Sequence, residues 1–358
     1  MSSNQIQKKI NIILPFPTKR PNGGPKVMFI YANFLAEKGY DVQIYHSLNT
    51  SYQRYKKPYF IRAILHKIRK THRPNWFELN PIVKSCNIKR VSDQFIRDAD
   101  YILSTWWATA LEVHELSATK GKKVNFIQDY ENNHEDVSLL ERSYELEHTT
   151  NIAISSFVYD IIEPLSSKKP YLILNAIDTS KFYIKNDIED RKPSILMMYC
   201  KSTRKGSTYG VEALLRIKEK HPHVNISFFS TAKRPKNLRE DINFFHRPKN
   251  LIDIYNSHSI FLTPSIKEGF GLPACESLAC GCTLIATNLE GHKDFAFNNE
   301  TALTIAPKNP DDIVEKIESL LNNDDLRKHL AKKGNQFLLN NLSWKKNIEQ
   351  LENILNNI

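Results

Sequence analysis

The sequence predicts an α/β protein made of two Rossmann-like halves and a helical tail. Three observations carry this: an opening strand–glycine loop–helix–strand, a second run of the same alternation after a polar break, and helical periodicity alone from Asp311 onward. The first half starts with Lys9 to Phe16 (KINIILPF), an apolar run of strand length that ends in the loop PFPTKRPNGGP. Val27, Ile30, Tyr31, Phe34 and Leu35 then recur three or four residues apart, on one helical face. Gly39 stops that helix, because a residue without Cβ suits the left-handed position just past a helix end. Tyr40 to His46 (YDVQIYH) reads as the second strand, with Tyr101 to Thr105 and Val124 to Gln128 as further short buried strands.

The boundary falls in the polar stretch Asn175 to Pro193, between the apolar strands Tyr171 to Leu174 and Ser194 to Cys200. After it the alternation restarts: a strand at 194–200, Lys205-Gly206, a helix Tyr209 to Lys220, and strands at 225–230 and 259–263. The segments PDDIVEKIESLL, DDLRKHLAKK and SWKKNIEQLENIL make the helical tail. The expected domains are 1–178, 193–335 and a C-terminal helical segment 336–358. Two α/β halves imply an interdomain cleft, where ligands usually bind.

At 358 residues, with 41% hydrophobic and 25% charged side chains, the chain can bury two ordinary cores. No apolar run approaches the ~18 residues that span a bilayer, and Ile10 to Phe16 is too short and interrupted for a signal peptide. The expected location is therefore the cytoplasm. Five scattered cysteines make no disulfide framework, and Cys280-Gly-Cys282 has no second pair at zinc-like spacing, so buried free thiols are expected. A formal charge of +11 favours an anionic partner: nucleic acid, a phosphorylated small molecule or a lipid surface.

The chemistry concentrates in Ser265 to Thr287, SIKEGFGLPACESLACGCTLIAT. Glu268-Gly-Phe-Gly-Leu-Pro273 follows a strand and opens a helix, with Pro273 suited to the first helical position. Gly269 and Gly271 let the backbone approach a ligand, and the N–H groups of the helix start attract anions or sugar hydroxyls. Glu276 is placed in the first turn of that helix. The two glutamates offer acceptors from a loop and from a helix, and carboxylates make strong charge-assisted bonds to sugar and ribose hydroxyls. Glu-x7-Glu spacing alone is common and is met equally by two solvated surface glutamates.

The phrase EGFGLPACESLACGCTLIAT resembles the donor-site signature of the retaining nucleotide-sugar transferases of glycosyltransferase family 4, which have the two-Rossmann-domain GT-B fold. Other pieces fall in the same order: Gly23-Gly24 at the first helix, Asn175-Ala-Ile-Asp178 with Phe182 at the entry to the second domain, Lys205-Gly206, and Ser343-Trp344 before the last helix. The resemblance implies that 1–178 binds the acceptor, 193–335 binds the donor, and the final helix crosses back to the N-terminal domain. It implies that Glu268 bonds the transferred sugar and Glu276 the ribose. Main-chain N–H groups of Phe270, Gly271 and Leu272, beside Gly269, help hold sugar and phosphates. Lys205 faces the diphosphate, and Gly23-Gly24 reaches it from the other domain or serves as a plain turn. The family's Arg five or six residues before that Lys is Tyr199 or Cys200 here, so Lys201 or Arg204 is the candidate replacement. Ala176 replaces a usual Gly, and Asp294 in LEGHKDF stands where the family commonly has Glu.

At the end of the strand leading to Phe126-Ile-Gln-Asp-Tyr-Glu131, Asp129 is the first choice for the polar residue beside the reacting carbon, ahead of Gln128 and Glu131. An N-cap or salt-bridge role fits Asp129 equally. The tryptophans of Ser104-Thr-Trp-Trp107 suit either sugar stacking or core packing. Asp98-Ala-Asp100 precedes its strand with no other oxygen-rich ligand nearby and reads as a surface loop, so no metal and no cofactor is expected. Between Arg54 and Arg73, Phe60, Ile61, Ile64, Leu65 and Ile68 share one helical face among basic residues. That pattern fits either an anionic membrane surface, on the inner face of the membrane, or a solvated helix packed on its own domain.

The expected function is retaining transfer of a hexosyl or deoxyhexosyl group, without metal, from a nucleoside diphosphate sugar to a hydroxyl of a glycan or lipid-linked sugar, in cell-surface polysaccharide or glycolipid assembly. A nucleotide-sugar epimerase or hydrolase of the same fold is the alternative. A nucleic-acid-binding protein is disfavoured, since no binding module is present and the basic residues are not interleaved with aromatics.

Overall fold

The computed structural model describes residues 7–131, 137–236 and 238–358. The chain forms two compact units, one running to Ile173 and including Lys346–Ile358, the other Leu174–Lys345.

The first unit contains β1 (Lys9–Leu14), α1 (Gly23–Glu37), β2 (Asp41–Ser47), α2 (Tyr59–Ile68), β3 (Lys84–Ile88), β4 (Tyr101–Thr105), α3 (Trp107–His114), β5 (Lys122–Ile127), α4 (Val137–Arg142), β6 (Thr149–Ala153), α5 (Ser156–Ile162) and β7 (Tyr171–Leu172). All seven strands pair in parallel in the order β3-β2-β1-β4-β5-β6-β7. β1 sits between β2 and β4, with Ile10 opposite both Val42 and Tyr101. Its buried run from Ile10 to Leu14 follows from that position, because a central parallel strand has both faces covered.

The second unit contains β8 (Ser194–Met198), α6 (Ser207–Lys220), β9 (Asn225–Ser230), β10 (Asn243–His246), α7 (Leu251–Asn256), β11 (Ile260–Thr263), α8 (Leu272–Ala279), β12 (Thr283–Thr287), β13 (Ala302–Ile305), α9 (Pro310–Asn322) and α10 (Asp324–Asn341). α11 (Trp344–Asn357) closes the chain and, from Lys346 on, belongs to the first unit. Its six parallel strands run β10-β9-β8-β11-β12-β13. Ile195, Met197, Leu214, Ile217, Phe228 and Leu262 form the centre of its core. The helices behind the sheet are capped as their sequence demands. Asn309 accepts from Asp311 and Asp312 N–H ahead of Pro310, and Asn323 accepts from Leu326 N–H.

Three expectations need correction. α8 begins at Leu272, so Pro273 is its second residue and Glu276 its fifth, beyond the first turn. The left-handed Gly271 turns the chain into the helix one residue early, and Pro273 is tolerated there because N–H groups of a first turn have no helical partner anyway. Cys86 and Cys200 are half-buried, whereas Cys275, Cys280 and Cys282 are buried. Within 54–73 only Tyr59–Ile68 is helical, opened by Pro58 and ended before Lys70, which has φ +46°. None of its ten residues is fully buried: Tyr59, Arg62, Ala63, Leu65 and His66 are half-buried, while Phe60, Ile61, Ile64 and Ile68 are exposed. Among the described residues no helix is long and apolar enough to cross a membrane.

Candidate functional site

In an open parallel sheet, ligands bind at the carboxyl ends of the strands where the strand order reverses. In the second unit that point lies between β8 and β11, which pair directly. The loop after β8 carries Lys201, Arg204 and Lys205, and the loop after β11 carries Ser265 to Gly271. The two loops are stitched together, because the Arg204 carbonyl accepts from Ile266 N–H at 2.7 Å and from Lys267 N–H at 3.1 Å.

That stitching brings Lys205 onto Glu268. Lys205 Nζ lies 2.6 Å from each carboxylate oxygen, and Ser265 Oγ donates to Glu268 Oε1 at 2.7 Å. Glu268 is buried and Lys205 about a quarter exposed. Burial pushes the Glu268 carboxyl up, but the Lys205 ammonium, His292 and the hydrogen bonds from Lys205 and Ser265 outweigh it and hold it below the ordinary value. It is therefore a carboxylate at neutral pH, already gripped by a cation.

His292 completes this cluster from the segment LEGHKDF. Its Nδ1 lies 2.9 Å from the Thr287 carbonyl, so Nδ1 carries the proton and Nε2 is left with a lone pair and, among the described residues, no hydrogen-bond partner. Burial pulls the imidazole down despite the Glu268 charge, and it stays neutral. Gly291 is required beside it, since a Cβ there would overlap the Glu268 carbonyl oxygen. Phe270 is buried against Phe295, 5.5 Å between ring centroids, and Phe295 also meets His292 at 5.5 Å. These contacts fix the loop Gly269–Leu272 at the entrance of α8. A small pocket with room for about one water molecule, lined by Met198, Lys205, Ser265, Glu268, Gly271 and Pro273, lies there. Asp294 lies half-buried two residues past His292.

Glu276 occupies a different environment. It is buried on α8 and accepts from the Tyr255 hydroxyl at 3.1 Å. Burial and the Glu276 charge push the Tyr255 phenol far up, so it acts as a neutral donor. Lys201 is exposed and Arg204 half-buried on the β8–α6 loop. Ser265 lay inside the motif and His292 next to Asp294, yet nothing in their spacing announced contact with Glu268. Tyr255 gave no signal, because its part depends on α7 packing beside α8.

In the first unit the order reverses between β1 and β4. Gly23 and Gly24 start α1, after β1. Gln128 Nε2 donates to the Gly24 carbonyl at 3.1 Å and to Thr105 Oγ1 at 2.7 Å, tying the ends of β4 and β5 to the start of α1. Asp129 and Glu131 follow it, both half-buried. Trp106 adopts φ +79°, a costly backbone conformation for a bulky residue, at the turn from β4 into α3. Its ring sits 5.5 Å from Trp107, and Tyr52 packs on Trp107 at 5.1 Å. Asp98 is engaged by Lys120 and Thr119, and Asp100 accepts from Lys9 N–H.

Residues 178–337 match the model of the glycosyl transferases group 1 family. The chain is 27% identical over 176 residues to the N,N'-diacetylbacillosaminyl-diphospho-undecaprenol alpha-1,3-N-acetylgalactosaminyltransferase of Campylobacter jejuni, covering 48% of this chain and 47% of that protein. It is 33% identical over 105 residues to the capsular polysaccharide biosynthesis glycosyltransferase CapM of Staphylococcus aureus, covering 29% and 28%. The chain spans about a fifth to about half the length of the curated relatives it matches. Among solved structures it is similar to HepE of Anabaena in complex with UDP and glucose, with a TM-score of 0.74 over 98% of this chain and all of that one, at 12% identity. The fold is GT-B: two parallel-sheet α/β units and a helical C-terminal region.

Proposed function

We propose that the protein is a glycosyltransferase that takes a hexosyl or deoxyhexosyl group from a nucleoside diphosphate sugar and transfers it, with retention, to a hydroxyl of a glycan or lipid-linked sugar. The observation that carries this reading is the Lys205–Glu268 pair, drawn from the loops after the two strands that flank the switch point. A phosphorylated ligand over β8 and β11 meets a cation and the start of α8, and a sugar next to it meets a carboxylate. Similarity to an undecaprenol-linked transferase, a capsule transferase and a UDP-bound structure supports the donor and acceptor classes.

In this reading the bond from the anomeric carbon to the diphosphate breaks as the acceptor oxygen forms its bond on the same face. The acceptor proton passes to the departing phosphate oxygen. Lys205, with Lys201 and Arg204 near it, balances the growing charge on the leaving group. Glu268 accepts from sugar hydroxyls, Glu276 from the ribose, and main-chain N–H groups of Gly269 to Leu272 hold sugar and phosphate. In the first unit the candidate residues are Gly23 and Gly24 at the start of α1 and Asp129 after β5.

Thermal melting with UDP, dTDP, GDP and ADP tests the reading. One diphosphate should raise Tm, and Glu276→Ala should weaken its binding by one to two orders of magnitude, from roughly 1.5–3 kcal/mol of lost charged hydrogen bonding. No shift with any nucleotide would sink the donor assignment. Transfer should persist in EDTA, because protein cations neutralise the leaving group. Loss in EDTA reversed by Mg²⁺ or Mn²⁺ would move that role to a metal.

A further inference from the structure

We infer that α2 docks this protein on an anionic lipid bilayer, seating Phe60, Ile64 and Ile68 among the acyl chains' upper carbons while flanking cations meet the headgroups. Phe60, Ile64 and Ile68 are 63%, 56% and 73% exposed, and their four-residue spacing sets them in one stripe with Ile61 beside it. A helix in a folded domain normally turns such a stripe inward. Here it faces out over its whole length.

The charge of the segment that carries the stripe is of one sign. No Asp or Glu occurs between Asp41 and Glu78, while eight Lys and Arg fall within 54–73. Two of the eight are committed elsewhere. Arg62 donates to the Leu48 carbonyl and Asn49 Oδ1 and lies 3.7 Å over the Tyr55 ring, and Arg73 donates to the Val83 carbonyl. The remaining six, Arg54, Lys56, Lys57, Lys67, Arg69 and Lys70, are exposed at both ends of the helix. Their field reaches the adjoining loop, where burial, Arg69 and Lys57 together pull the Lys19 ammonium down.

An apolar stripe edged by unbalanced cations is complementary to an anionic leaflet, which offers hydrocarbon below a sheet of negative charge. A nucleic acid would leave the isoleucines in water, and a second copy of the chain would set six cations against six. The inference extends the transferase reading by supplying the surface on which a lipid-linked acceptor is met, and its test requires no measurement of transfer.

Each cation near an anionic surface raises binding roughly fivefold, so binding should be strong at low salt and fall steeply as salt screens it. The full-length protein should float with phosphatidylglycerol–phosphatidylcholine vesicles at low salt and not with phosphatidylcholine alone. Ile64→Ser/Ile68→Ser should weaken flotation at least tenfold, and Lys56→Glu/Lys57→Glu/Lys67→Glu/Lys70→Glu should abolish it, both at unchanged Tm because these side chains are exposed. Equal flotation on both vesicle types, none on either, or a lipid-free dimer dispersed by the Ile variant would each overturn the inference. A wild type that stays unbound but is stabilised by a nucleotide leaves the donor site standing. One that floats but takes no nucleotide does the reverse.

Discussion

Lys205→Met should lower kcat/KM by roughly two to three orders of magnitude, the usual loss when a preorganised charge stabiliser is removed from a developing oxyanion. It should also destabilise the second unit, because Glu268 is buried and would be left as an unpaired carboxylate. Breaking such a pair costs about 3 kcal/mol. The two effects separate by pH and by a second substitution. In the wild type, Lys205 holds the Glu268 carboxyl below its ordinary value, so the pair's stabilisation is present above about pH 4.5 and is lost as pH falls through the lowered value. In Lys205→Met the largest opposing charge is gone, so burial outweighs what His292 and Ser265 still supply, and the carboxyl should rise. The variant's deficit should then be large at pH 7 and shrink as acid protonates Glu268. Adding Glu268→Gln should restore most of the stability at pH 7 without restoring turnover. Urea melts at pH 5 and pH 7 with single-turnover rates check this. A double variant that recovers activity would remove Lys205 from the chemistry.

The sequence shows how far such a site can be read in advance. Tyr101–Thr105 and Asn225–Ser230 were legible to the residue, because their apolar or aromatic cores (YIL and FF with Ile226) are short, strand-length and bounded by polar segments. β3 and β10 went unseen: both are edge strands, KSCNI and NFFH, with little full burial to pattern them. β6 was hidden for another reason. Its buried Asn151 breaks the apolar run, and only the folded unit shows that Asn125 Nδ2 donates to it while its own amide donates to the Tyr144 carbonyl. Glu268 and Lys205 could be singled out separately, but they lie 63 residues apart and their meeting requires β11 to insert beside β8. His292 is the sharper case, since a lone histidine in a polar segment carries no sign that its ring is buried beside a carboxylate.

Gly206→Ala should unfold the second unit at a markedly lower temperature and disarm the site even where it stays folded. Gly206 has φ +58° as it caps α6, a conformation that costs an alanine about 1 kcal/mol. Strain is the smaller part. A Cβ at this position would overlap the Pro264 carbonyl oxygen, which is backbone and cannot swing away as a side chain end would. Relief requires Pro264 to shift, and Pro264 leads directly into Ile266 and Lys267, whose N–H groups hold the Arg204 carbonyl. The expected cost is roughly 4 kcal/mol, a Tm drop of about 10 °C for a unit of this size. Gly39→Ala is the control, because Gly39 also has positive φ, +92°, but an added Cβ meets nothing within 4 Å. It should lose only the conformational share, about 1 kcal/mol. If the two alanine variants melt alike, the Pro264 contact is not what sets the loop. If Gly206→Ala melts low but keeps full turnover at a temperature where it is folded, the stitching through Arg204 does not position Lys205.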